Sequence, residues 1–385
     1  MDVLVVRSGH SAIARQMMAA ALVLWSAQPR ALSAQSVSSK PATQVTDTIW
    51  YVTNRASRNG EWQNERGEGL TYGVRSFQVV PKPGKEFPWS AAIRKNVLAD
   101  SQISADEWAE RLAKSSLQDS AADLPVLVYV HGYASSFKEA TEQAAELRRR
   151  GNFKGPLVVF SWPASGSGFA APTLDHMLTR AYWRDADRAT ESIPDLVAVL
   201  QGLSRKLGSR RIVVAAHSMG NMMLDGALRT SVLSDSLAVN PFRAVAYLAP
   251  DVDETYFADS LVSRGRRLSS RQVLYGSRND RLLQISSIVH GAPRAGQLQR
   301  KAPWSTDVEV VDVTDARVSG NWWIRHFGTN HAFRRRPDAV SDFFGLVLRD
   351  LPADSRAASD AWVRETDGSW RLQRSAQESQ PNPRG

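Results

Sequence analysis

Between Leu124 and Asp315 six short apolar runs follow one another at regular intervals, and this repetition leaves few folds open. The runs lie within "PVLVYVHG", "PLVVFSWP", "RIVVAAHS", "FRAVAYLAPDVD", "RQVLYGSRND" and "DVEVVDVTD". Each is a near-continuous stretch of about five apolar residues rather than an alternation of apolar and polar ones, which is the pattern of a strand buried on both faces. The first three are each followed by a helical stretch. Strand–helix alternation of this kind implies a mostly parallel central sheet covered by helices on both faces, an α/β architecture.

The flanking segments fit such a core. Phe137, Ala140, Ala144 and Leu147 recur at helical spacing after the first run, which gives that helix one apolar face. The stretch from Thr179 to Leu207 reads as helix that Pro194 kinks or splits. "PDAVSDFFGLVLRDL", residues 337–351, is a closing amphipathic helix. Upstream, two strands are expected over Thr48–Arg55 and Thr71–Val80 with a polar loop between them. A helix begins at the N-cap Ser104, with Trp108, Leu112 and Leu117 on one side. Past Pro352 the tail is polar, with a hairpin expected around Asp367-Gly368 and disorder over the last dozen residues or so.

The amino terminus does not belong to this core. Arg7 and Arg15 precede the apolar run Met17–Ala27, and small residues follow near Ala34. A basic start, a short apolar middle and a small-residue cleavage site describe a secretory signal, with an uncleaved membrane anchor as the alternative. The expected division is a signal over 1–34, a linker over 35–46, the α/β domain over 47–351 and the tail over 352–385. Cleavage after Ala34 removes three arginines and one aspartate from a chain of formal charge +9, leaving about +7. The surplus is scattered in clusters at 148–150, 264–267 and 334–336 without interleaved aromatics. This speaks against nucleic acid as a partner and leaves room for loose association with an anionic membrane surface. The chain has no cysteine, so disulfides and thiolate metal sites are excluded.

Chemistry concentrates at the end of the third run, "RIVVAAHSMGNMML". A serine between a buried strand and a helix, flanked by small residues two before and two after, marks a sharp turn that lifts the hydroxyl above the sheet. Ala216 and Gly220 hold the small positions around Ser218. A nucleophilic serine needs a base and an oxyanion hole. In an open parallel sheet the chain order is serine, acid, histidine. Of the seven histidines only His326 and His331 follow the last run. His331, in the loop before the final helix, is the first choice for the base, and His326 is the fallback. For the acid, Asp280 follows the fifth run, and Asp251 one strand earlier is its alternative. The Met219 amide at the start of the helix and the Tyr133 amide in "HGYASS" are the expected oxyanion donors. His131, Trp162 and Trp322 are expected around the substrate, His131 also as a prop for its loop.

Together "VLVYVHGYASSFKEATEQAAEL", "VVFSWPASGS", "VVAAHSMGNMML", "APDVDE", "SRNDRLL" and "NHAF" resemble the α/β-hydrolase superfamily. Within it they are similar to a bacterial branch of esterase/lipase-like proteins, with "HGY" and "SWP" as the variants of that branch. The resemblance covers about Asp47 to Leu351. It implies Ser218 as nucleophile, Asp280 as acid and His331 as base. The expected activity is hydrolysis of a small carboxylic ester through an acyl-enzyme, with no cofactor and no metal. An amidase, thioesterase or peptidase on the same residues, or a catalytically silent binding protein of the same fold, is the alternative. A carboxylate would be wanted at position 218 for dehalogenase chemistry, so that reading is disfavoured.

Overall fold

The computed structural model describes residues 45–79, 97–117, 124–166, 180–208, 210–230, 240–300, 303–316, 318, 331–356 and 362–372. The expected signal, most of the linker and the end of the tail lie outside the described residues. Strand β1 (Val45–Arg58) turns through Asn59 and Gly60 into β2 (Glu61–Val79), and both turn residues have positive φ. An Asn-Gly pair of this conformation suits the twist of a two-residue hairpin. The polar loop expected between Arg55 and Thr71 is therefore strand instead. Its side chains are largely solvent-facing, so they lack the apolar pattern by which a strand is read. For the same reason β3 (Val97–Ile103), an exposed strand antiparallel to β2, was not anticipated.

The six expected core strands are present as β4 (Val126–Val130), β5 (Leu157–Ser161), β6 (Ile212–His217), β7 (Ala244–Leu248), β8 (Gln272–Gly276) and β9 (Glu309–Asp312). They pair in parallel in the order β9-β8-β7-β6-β4-β5, and β1 continues the sheet parallel to β5. Beyond β9, β11 (Trp370–Leu372) adds a parallel strand, and β10 (Trp362–Arg364), antiparallel to it, forms the edge. The hairpin turns near Gly368, whose φ is +82. The sheet thus runs past Leu351, and the carboxy-terminal hairpin is an edge of the α/β domain rather than an appendage.

Alternate residues of the central strands serve two cores. Val128, Val130, Val214, Ala216 and Tyr247 face one, with helices α1 (Ala105–Ser115), α3 (Tyr182–Glu191), α4 (Ile193–Leu207) and α5 (Gly220–Arg229) above them. Leu127, Tyr129, Val213, Ala215 and Tyr275 face the other, covered by α2 (Phe137–Arg150) and α7 (Pro337–Arg349). Burial from both sides is what makes the runs continuous in the sequence. Ser104 caps α1 by accepting from the Glu107 amide at 3.3 Å, and Trp108 and Leu112 are buried. Leu117 lies beyond the end of α1 and is 59% exposed, so it does not extend that apolar face. The long helical stretch breaks at Ser192, with Pro194 in the first turn of α4, where no amide hydrogen is needed. Among the described residues no helix is long and apolar enough to cross a membrane.

Candidate active site

The loops that follow β4, β6, β7, β8 and β9 all leave the carboxyl edge of the parallel strands, where sites of open α/β sheets gather. Ser218 directly follows β6 and has φ +53, in the left-handed region. That conformation costs a non-glycine residue about 1–2 kcal/mol. Backbone bonds on both sides hold it there. The Ser218 amide donates to Leu248 O at 2.9 Å, and its carbonyl accepts from the Asn221 amide and Asn221 Nδ2, each at 3.0 Å. A Cβ on Gly220 would sit 2.7 Å from the carbonyl oxygens of Val130 and His131, so only glycine lets α5 start this close to β4. Ala216 is fully buried between Val130 and Tyr247 of the neighbouring strands, and its methyl group is accommodated.

Asp280 follows β8 and caps α6 (Arg281–His290): its Oδ1 accepts from the Leu282 and Leu283 amides, each at 3.1 Å. Its Oδ2 lies 2.8 Å from His331 Nδ1. The pair is nearly sealed from solvent, with Asp280 at 0% and His331 at 8% exposure. Burial pulls the His331 pKa down, but the charge and hydrogen bond of Asp280 outweigh it and leave the imidazole above its ordinary value. His331 is tied to His217, the residue that precedes the serine. The His217 Nε2–H donates to the His331 carbonyl oxygen at 3.1 Å, and the two rings lie 4.8 Å apart. Burial and the neighbouring His331 hold His217 neutral, well below the ordinary imidazole range. Among the described residues no hydrogen bond joins Ser218 Oγ to His331 Nε2. Contacts of this kind commonly tighten only when substrate is bound.

Among the described residues the amide hydrogens of Tyr133 and Met219 donate to no backbone carbonyl. Both flank Ser218. A Cβ on Gly132 would meet Ser218 Cβ at 2.8 Å and His217 O at 2.9 Å, so the loop after β4 is pressed against the serine turn. We expect Gly132→Ala to force the two apart, at about 1–3 kcal/mol in stability. Urea unfolding checks this, and wild-type stability would contradict the close approach.

Several expected residues sit elsewhere. Trp162 does not line a pocket. It is fully buried, donates Nε1–H to His131 O at 2.9 Å and stacks on His131 with ring centroids 5.1 Å apart. His131 is equally enclosed. Burial and then the Arg55 charge push its pKa to about 3, so it stays neutral, and its Nδ1 donates to Gly132 O at 2.9 Å. Both props are enclosed beneath the loop. Asp251 adds its charge to the field at His331 but, among the described residues, makes no hydrogen bond to it. Arg294 Nε at 2.9 Å, Ser286 Oγ at 2.6 Å and Tyr182 Oη at 2.9 Å all donate to its carboxylate. His326 and Trp322 lie outside the described residues. The role of His217 as a clamp on His331 was not read from the sequence, because its contact partner lies 114 positions away.

Comparison with known proteins returns one family model, described as "Alpha/beta hydrolase of unknown function (DUF900)", over residues 104–332. No curated protein matches. Solved structures similar to this chain include a hyperthermophilic esterase from the archaeon Pyrobaculum calidifontis, at 12% identity and TM-score 0.28, covering 64% of this chain and 91% of that one. Esterase PE8 aligns at 16% identity and TM-score 0.32, over 58% of this chain and 93% of that one. A ferulic acid esterase from Streptomyces cinnamoneus aligns at 14% identity and TM-score 0.33, over 84% and 96% respectively.

Proposed function

The chain belongs to this family of α/β-hydrolases of unknown function, and on that premise we propose that it is a serine hydrolase that cleaves carboxylic esters through an acyl-enzyme. The observation that carries the reading is the buried Asp280–His331 pair, 2.8 Å apart, tied to His217, which precedes the strained Ser218. A structural histidine has no need of a buried carboxylate on one nitrogen while the other is left free to accept a proton.

With substrate bound, His331 Nε2 takes the Ser218 proton as Oγ attacks the ester carbonyl carbon. The carbonyl oxygen becomes an oxyanion held by the Tyr133 and Met219 amides. Asp280 stabilises the imidazolium and fixes the tautomer in which Nδ1 carries hydrogen. Collapse of the tetrahedral intermediate breaks the bond to the alcohol oxygen, which leaves with the proton from His331. Water then attacks the acyl-enzyme, giving its proton to His331, and a second collapse releases the acid and restores the serine.

Treatment of the wild-type chain with a fluorophosphonate probe tests the reading. Expected is a single covalent adduct that peptide mapping assigns to Ser218. A chain that stays unlabelled, or is labelled elsewhere, overturns it.

A further inference from the structure

We propose that Asp185 is a positioning residue for the oxyanion hole, holding the backbone around Tyr133 and Ala134 in the conformation that aims the Tyr133 amide at the substrate carbonyl. The inference rests on the serine-hydrolase reading above and adds to it a residue far from the triad in sequence.

Ala134 has φ +52, a conformation that a non-glycine residue keeps only when its surroundings impose it. It directly follows Tyr133. Asp185, on α3 and fully enclosed, supplies the constraint: its Oδ2 accepts from the Ala134 amide at 3.1 Å. The same carboxylate takes the Ser165 amide at 2.9 Å and the Ser165 hydroxyl at 2.8 Å. One side chain therefore staples the loop after β4 to the loop after β5.

A buried anion beside the oxyanion hole would oppose the charge that develops there unless it is balanced. Arg188 pairs with it, Nη1 to Oδ1 at 3.5 Å, and the charge of the buried Arg55 acts on it as well. Arg55 Nη2 donates to Ser135 O at 2.7 Å, its Nη1 to Ala164 O at 3.1 Å and its Nε to Ser161 Oγ at 3.0 Å. Arg55 and Asp185 thus grip the same two loops, one through carbonyl oxygens and the other through amide hydrogens. Peptides held from both ends cannot rotate, and a donor that does not reorganise is the kind that stabilises a transition state rather than a ground state.

The test uses the full chain with Asp185→Asn, and Asp225→Asn for comparison. Asp225 is a buried carboxylate on α5 whose partners are Arg229, Tyr256 and Arg264, none of them in the loops after β4 and β5. For an aryl ester, Asp185→Asn is expected to lower kcat about 10–10²-fold, somewhat less than outright loss of an oxyanion donor. KM should stay within about threefold. The rate of fluorophosphonate labelling should fall in proportion to kcat. Asp225→Asn should lose stability but keep kcat within about twofold. Unchanged kcat in Asp185→Asn, or losses that merely track stability as in Asp225→Asn, would overturn the proposal. Should Asp185→Asn not fold, Arg55→Lys loosens the other tether of the loop. It should show the same fall in kcat at constant KM, and wild-type kcat there overturns the proposal as well. If the wild-type chain is not labelled at Ser218, the serine-hydrolase reading itself falls. If it is labelled and Asp185→Asn behaves as wild type, only the positioning role falls.

Discussion

Ser218→Ala should lower kcat for short-chain aryl esters on the order of 10⁶-fold and abolish fluorophosphonate labelling, because no other group in the site can form the acyl bond. Stability should hardly change. Alanine is as strained as serine at φ +53, and the hydroxyl makes no hydrogen bond among the described residues. Ser218→Gly separates the two effects. Glycine adopts the left-handed conformation without penalty, so this variant should be equally inactive yet gain about 1 kcal/mol in urea unfolding. An inactive and stabilised glycine variant is the signature of strain kept for function. Retention of hydrolysis within tenfold of wild type in either variant would remove Ser218 from the mechanism.

Asp280→Asn carries the second largest expected loss, about 10⁴-fold in kcat. The asparagine oxygen can still accept from the Leu282 and Leu283 amides and so preserve the cap of α6. Its NH₂ group then faces His331 Nδ1 and can only donate to it. The imidazole hydrogen moves to Nε2, the nitrogen that must accept the serine proton. The pH profile should move too. His331 acts as a base only when neutral, so activity falls as pH drops through its pKa. In the wild type that limb should lie above the ordinary imidazole range, because Asp280 outweighs burial. Without the carboxylate charge the limb should move to lower pH. The stability linkage has the matching sign. A raised folded-state pKa means that the ion pair contributes fully below the unfolded-state value and that this contribution fades as pH rises through the folded one. The stability gap between wild type and Asp280→Asn should therefore be widest in mild acid. A limb at the same pH in both proteins would show that His331 is not the titrating base.

The core was legible because its strands are buried on both faces. Runs such as "VLVYV" and "IVVAAH" leave no polar side to confuse the reading, and all six expected strands are in the sheet. The edges were not legible. β3 and the outer half of the β1–β2 hairpin involve side chains that face solvent, where backbone pairing leaves little trace in residue type, and β11 is too short at three residues to show a pattern. In the site, chain order and local turn chemistry pointed to Ser218, Asp280 and His331, and the structure brings Asp280 against His331 and ties His331 to His217, next to the serine. Loop aromatics were less readable. Trp162 looks like a pocket residue in "FSWPASG", yet it is packed away against His131.

By itself the sequence determined the quantities that are local: which segments are buried on both faces, where a strand must turn sharply into a helix, and which residue types stand ready for nucleophilic chemistry. Those follow from hydrophobic periodicity and backbone sterics within a few residues. Only the tertiary structure decided which aspartate meets the imidazole, which histidine clamps its loop and which buried carboxylate and guanidinium hold the oxyanion backbone. Each of these depends on residues 51 to 114 positions apart meeting at about 3 Å, as Asp185–Ala134, Asp280–His331, Arg55–Ser135 and His217–His331 do. No local pattern encodes such a distance, because it is set by how the whole sheet twists and closes around the site.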